Sequence, residues 1–237
     1  MPEQKNAYRS VEEINRIVVR CELCPRLTRY RRMVAKVKRP QFMEWDYWGK
    51  PLPGFGDPAG RLLILGLAPA AHGGNRTGRM FTGDGSAQFL MAELYKFGFA
   101  NQPTSLKVND GLRLRDAYMT AVVRCAPPEN RPTPREIETC KRYWTEELRF
   151  LSNVRVVLAL GRVAFGAYVR FLKERGFETR GYEFRHGAFY TSPDHAVLAA
   201  SYHPSRQNTQ TGKLTKTMFD SVLRKVQRII EPNTQVP

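Results

Sequence analysis

Acidic side chains are scarce in this chain. Twenty-two Asp and Glu stand against 38 Lys and Arg, for a formal net charge of +16. That shortage points to a polyanionic partner, of which nucleic acid is the commonest. Charge says nothing about fold, and an ordinary basic soluble protein has the same balance. Long hydrophobic runs are missing as well. None approaches the length of a membrane span, and the opening residues MPEQKNAYRSVEE hold no apolar core of a signal peptide. A cytosolic protein with no membrane partner is expected. The P-loop and dinucleotide fingerprints are absent, as are internal repeats and an obvious linker. We expect a single domain over 1–237, with 231–237 a frayed tail.

Cysteine is rare too, limited to Cys21, Cys24, Cys125 and Cys140. In a reducing compartment these are not expected to be disulfides. The CELC spacing of Cys21 and Cys24 lets two thiolates reach one metal centre, although a lone CxxC also serves as a redox motif. Cys125 follows a predicted strand and Cys140 sits one helical stretch later. The residues alone therefore permit structural zinc, an iron–sulfur cluster or plain buried thiols.

What the chain does have is a glycine-rich stretch, RLLILGLAPAAHGGNRTGRMFTGD, from Arg61 to Asp84. Leu62, Leu63, Ile64 and Leu65 form a short apolar run that reads as a strand covered on both faces. Gly66, Pro69, Gly73, Gly74, Gly78 and Gly83 then break the backbone and let it approach a ligand closely. Phe89, Leu90, Leu94 and Phe97 follow at helical spacing. Strand, glycine loop and helix in this order mark the place where open α/β sheets bind ligands.

The rest of the chain repeats that alternation. Ser10 and Glu13 have capping-box spacing and open a helix toward Cys21. Arg26–Arg39 is dense in basic residues and reads either as a solvated helix face or as a DNA contact. Residues 40–58 look irregular, with Tyr47, Trp48 and Phe55 as lids or a stacking surface. Strands are expected at Ala117–Arg124, Val154–Leu160 and Ala196–Ala200, and Thr133, Pro134 and Glu136 form a helix start. SYHPSRQNTQTG follows the last strand as a polar loop, and Met218, Phe219, Val222, Val226 and Ile229 mark a final helix. Four strands alternating with helices predict an α/β protein, a three-layer α/β/α domain with a four-stranded parallel sheet.

GLAPA after the first strand, MFTGD at the end of its loop and HPS after the last strand resemble motifs of the uracil-DNA glycosylase superfamily. The long loop, the ASYHPSRQNTQTG segment and the four cysteines are similar to the family 5, or B-type, enzymes of bacteria and archaea. This resemblance spans Cys21 to Phe219. It implies strand order 2-1-3-4 and a [4Fe–4S] cluster on Cys21, Cys24, Cys125 and Cys140. It further implies a DNA glycosylase acting on uracil in DNA, single- or double-stranded, within base excision repair. The lack of a motif-loop lysine makes a monofunctional enzyme the expectation. Hypoxanthine and other deaminated bases fit a wider family range. The second residue of the GxxP motif, acidic or amide in several related families, is Leu67 here. Asp84 matches the acid that family 5 is thought to use instead, and it also reads as a helix N-cap before Gly85 and Ser86. His203 matches the histidine that donates to uracil O2, and Phe81 the ring that stacks on the flipped base. Asn130 offers an amide to the base edge, the backbone at Leu67 and Ala68 completes the pocket, and Asn75 holds water or fixes the loop.

The sequence departs from related families in two places. Ala121 stands where some members carry a base-reading Asn. Arg206, Gln207 and Asn208, candidate DNA contacts, stand where some carry an apolar wedge. No lysine in the motif loops could form a Schiff base. A catalytically inactive, metal-stabilised nucleic-acid-binding module is the alternative. A phosphohydrolase lacks its P-loop lysine and paired metal carboxylates.

Overall fold

The computed structural model describes residues 8–191 and 196–231; the SPDH segment and nearly all of the expected tail lie outside them. Its sheet has six strands: β1 (Phe55–Gly56), β2 (Leu62–Gly66), β3 (Ala117–Ala121), β4 (Val156–Leu160), β5 (Phe189–Thr191) and β6 (Val197–Ser201). They lie in the order β1-β3-β2-β4-β6-β5. The pairs β2–β3, β2–β4 and β4–β6 are parallel, whereas β1–β3 and β5–β6 are antiparallel. The four expected strands are β3, β2, β4 and β6, mutually parallel and in the expected order 2-1-3-4. Among the described residues two antiparallel edge strands widen the expected four-stranded sheet to a six-stranded mixed one. The edge strands escaped the sequence because they are two and three residues long and only half-buried, with no apolar run.

The inner strands are continuous apolar runs because both their faces are covered. Leu62, Ile64, Met119 and Leu158 enter one core, and Leu63, Leu65, Tyr118 and Val157 enter the other. Each large apolar side chain buried this way contributes about 1.5–3 kcal/mol. Helices α4 (Gly85–Lys96) and α8 (Lys216–Ile230) supply the first core. Helices α1 (Val11–Val18), α5 (Pro134–Phe150) and α6 (Arg162–Glu174) supply the second. The N-caps expected at Ser10 and Thr133 are formed, although the Glu13 carboxylate accepts from Arg9 N rather than closing a box on Ser10. Ser10 Oγ accepts from Glu13 N at 3.2 Å, and Thr133 and Glu136 make a complete capping box. Glu147 of α5 is fully buried and accepts from Thr120 Oγ1 (2.6 Å), Tyr118 Oη (3.1 Å) and the Arg124 guanidinium, tying α5 to β3. No helix among the described residues is long and apolar enough to cross a membrane.

Candidate active site

The carboxyl ends of β2, β3 and β6 surround a cavity of about 200 Å³. Leu67, Ala68, Phe81, Asp84, Asn130 and His203, called from distant parts of the sequence, all line it, and Ala121 does too. A groove of about 960 Å³ lies outside and shares Ala70, Asp84 and Asn130 with the cavity. Two glycines make the fit possible. A Cβ on Gly66 would lie 3.0 Å from the Phe81 ring, and one on Gly73 would lie 2.1 Å from Asp84 Oδ2. Phe81 itself has φ +45°, a left-handed conformation that costs a non-glycine residue about 1–3 kcal/mol. Such strain persists where the surroundings fix it, typically at functional sites.

Asp84 is an N-cap and a cavity wall at once. Its Oδ1 accepts from Ala87 N at 2.9 Å, which starts α4. Burial raises its pKa, outweighing the opposing hydrogen bonds from the Ala87 and Ser86 amides and the charges of Arg76 and Arg206. His203 moves the other way: burial pushes it down to about 4, so its imidazole is neutral at physiological pH. Its ring stacks on Phe81 with centroids 5.9 Å apart and planes 29° apart. Leu67 O accepts from Val123 N at 2.9 Å, which fixes the strand-end backbone carrying Leu67 and Ala68. A carboxylate, a neutral donor ring, an aromatic face and an amide around one small hole can hold a planar base and stabilise charge of both signs.

Other expected residues turn elsewhere. Asn75, on α3 (Gly74–Thr77), is buried and lines neither cavity nor groove; its Nδ2 donates to Arg31 O at 3.2 Å. That contact ties the loop to the helix that carries Arg31, while the buried Asn75 Oδ1 has no hydrogen-bond partner among the described residues. The HPS loop continues into a short helix α7 (Arg206–Gln210), where a plain loop was expected. Arg206 is exposed along the groove and packs over Gly85, and Gln207 is exposed beside it. Asn208 points inward, its Nδ2 donating to His203 O at 2.8 Å. The basic stretch divides between partnered and exposed side chains, with Arg29, Lys36 and Arg39 exposed. Within α2 (Pro25–Val37), Arg26 is bidentate to Glu136, Arg32 pairs with Glu22, and Arg31 is only 3% exposed. Of that stretch, Tyr30 and Arg39 line the groove.

The sequence did not reveal the groove wall. Arg76 lies between the rings of Phe42 and Trp45, its Cζ 3.9 and 4.0 Å from their centroids. It donates to His72 O and Gly83 O, both at 2.8 Å, bracing the motif loop at two points. Tyr47 bonds His72 Nδ1 at 3.0 Å, and Phe55 packs on Arg79. The aromatic richness of residues 40–58 was visible, but not which rings face the groove.

Cys21, Cys24, Cys125 and Cys140 line one void together with Leu27, Arg124 and Tyr143. All four thiols are free. Burial pushes Cys125 and Cys140 up to about 12. Arg124 N donates to Cys140 Sγ at 3.3 Å, and Arg31 donates to Cys21 O at 3.3 Å. Among the described residues, no three His, Cys, Asp or Glu gather closely enough to hold a single metal ion.

Comparison with known sequences bears on this site. Residues 53–227 match the Uracil DNA glycosylase superfamily. Over 210 residues the chain is 52% identical to a type-5 uracil-DNA glycosylase of Thermus thermophilus, covering 88% of this chain and 93% of that protein. A Mycobacterium bovis protein of the same name is 46% identical over 93% of this chain and 82% of its own length. One from Pyrobaculum aerophilum is 45% identical over 90% and 89%.

Proposed function

The chain belongs to the uracil DNA glycosylase superfamily, and on that footing we propose that it excises uracil from DNA in base excision repair, as a monofunctional glycosylase. One observation carries the reading of the site: Asp84 and a neutral His203 line the same small cavity, open to a groove, with Phe81 stacked on the histidine. The nucleotide leaves the stack and its base enters the cavity beside Phe81. The C1′–N1 bond then breaks with its electron pair going to the uracil. His203 donates its N–H toward O2 and stabilises the departing anion without itself carrying charge. Asp84 faces the sugar, stabilises the positive C1′ and takes a proton from the water whose oxygen bonds to C1′. Uracil, protonated from solvent, and an abasic sugar are the products. Among the described residues no lysine lines the cavity or the groove, in keeping with hydrolysis rather than a Schiff base. Ala121 leaves one wall of the cavity without an amide, and Asn130 is the amide that remains. This pairing supports a wider range that includes hypoxanthine. Arg206 and Gln207 contact the DNA backbone along the groove. Release of base from uracil- and hypoxanthine-containing strands tests both claims. Release of neither base by folded protein overturns the activity, and release of uracil alone overturns the wider range.

The four cysteines hold a [4Fe–4S] cluster in this reading. Its support is the donor set: four free thiols around one void, with backbone N–H and guanidinium groups beside them that suit a negative centre. The cluster is structural. It ties the start of α2 to the segment after β3 and to α5, and it has no part in the hydrolysis. Protein purified without oxygen should be brown and contain iron and sulfide. Stoichiometric zinc without iron would remove the cluster.

A further inference from the structure

Excision from a duplex leaves a gap in the base stack, and proteins that distort DNA fill such gaps with apolar side chains. The residues after the HPS motif are unsuited to this: Arg206 and Gln207 are polar, and Asn208 is turned inward on His203 O. Of the large apolar side chains on the groove, Phe42 and Trp45 are taken up in holding Arg76, which leaves Leu106. It lines the groove and is 63% exposed, so it contributes little to the core.

The loop that carries Leu106 is tied down from beneath by a buried ion pair. Arg79 and Asp110, 5% and 8% exposed, form that pair. Arg79 donates to Val108 O (3.1 Å) and Ser105 Oγ (3.0 Å), while Asp110 Oδ2 accepts from Leu106 N (2.7 Å) and Lys107 N (3.2 Å). Gly83 N donates to Ser105 O at 2.8 Å, which links this loop to the residue before Asp84. Burying an ion pair carries a desolvation cost that stability alone seldom repays. Here the pair and its hydrogen bonds hold an exposed leucine at a set position relative to Asp84.

We propose that Leu106 is the wedge that enters the duplex where the target nucleotide leaves, with the Arg79–Asp110 pair as its mount. This rests on the glycosylase reading above and adds to it a residue that discriminates duplex from single strand. A single strand has no paired stack to fill, so Leu106 acts on duplex substrates.

The test is single-turnover uracil release by wild type, Leu106→Ala and Leu106→Gln, on the same sequence as duplex and as single strand. A 2-aminopurine beside the uracil reports unstacking on binding. The duplex-to-single-strand rate ratio should fall about tenfold or more in both variants, with a weaker 2-aminopurine signal on duplex. An unchanged ratio with unchanged fluorescence overturns the wedge, as does an equal loss on both substrates. If wild type proves inactive on single strands, the fluorescence decides. Folded wild type that releases uracil from neither substrate overturns the glycosylase reading instead.

Discussion

In sequence the motif loop from Gly66 to Asp84 reads as a ligand-binding loop and helix α2 as a solvated face or a DNA contact, and the structure surrounds the two differently. The loop delivers Leu67, Ala68, Phe81 and Asp84 to one cavity. Helix α2, far richer in positive charge, directs Arg26, Arg31 and Arg32 to Glu136, to the Gly49 and Cys21 carbonyls and to Glu22. A charge that already has partners inside the fold is scaffold; a polar group facing a cavity with its capacity unused is available for chemistry. We propose that partners, and not charge density, tell interface from scaffold here, although Arg29 and Lys36 of the same helix stay exposed.

The largest effect should come from Asp84→Asn. Removing the carboxylate should lower the single-turnover rate about a thousandfold, within the range for a positioned acid–base group. The fold should not suffer, because Asn caps a helix as well as Asp. The sign of the pH effect follows from burial. Asp84's pKa is raised, so the native state holds this proton more tightly than the unfolded chain does. Its charge therefore subtracts stability above the folded pKa, and that penalty fades as pH falls through it. At neutral pH the variant should melt at the same temperature as wild type or higher, with the difference shrinking in acid. Wild-type activity should fall on the acid side with Asp84, since His203 stays neutral down to about 4. A normally active Asp84→Asn protein would reduce Asp84 to a cap and erase the contrast on the loop side.

His203→Ala should come next, with a loss of about a hundredfold on uracil, the scale of removing one donor to a developing anion. Lesions whose leaving base is stabilised at other atoms should lose less. Equal losses on uracil and hypoxanthine would make His203 a wall and not a donor.

On the scaffold side, Arg31→Met should cost about 2 kcal/mol, because the Gly49 and Cys21 carbonyls lose a buried donor. For a chain of this size that lowers Tm by roughly 4–8 °C. DNA affinity measured well below the melt should not change. A loss of affinity with an unchanged Tm would put α2 back at the interface.

The contrast also explains what could be foreseen. The inner strands were legible because burial on both faces demands unbroken apolar runs, as in LLIL and VVLAL. Asp84, Phe81 and His203 were legible because short motifs fix their positions relative to strand ends. Asn75 was not, since an amide on a four-residue helix can face either way and only packing against Arg31 decides. Nor were the pairs Arg26–Glu136 and Arg79–Asp110, whose partners lie far apart in sequence. A run of arginines does not state which of them already has a carboxylate, and the sheet's edge strands were too short to signal themselves.

The smallest effect, and the finest probe of the comparison, belongs to Arg206→Ala. Arg206 is exposed on the groove and packs its stem over Gly85, so truncation removes a surface charge and little core. Surface changes of this kind stay within about 0.5 kcal/mol of wild type in stability. A phosphate contact, by contrast, has a defined signature: losing it weakens binding uniformly across sequences and flattens the log–log salt dependence by about one. Arg206→Ala should therefore leave Tm in place while the salt slope drops. Arg32→Ala, whose guanidinium pairs with Glu22, should leave both in place. Titrating one duplex at several salt concentrations with both variants makes the distinction. If Arg32 moves the slope and Arg206 does not, DNA runs along α2 and not along the groove, and partnered charge is no guide to where this protein meets its substrate.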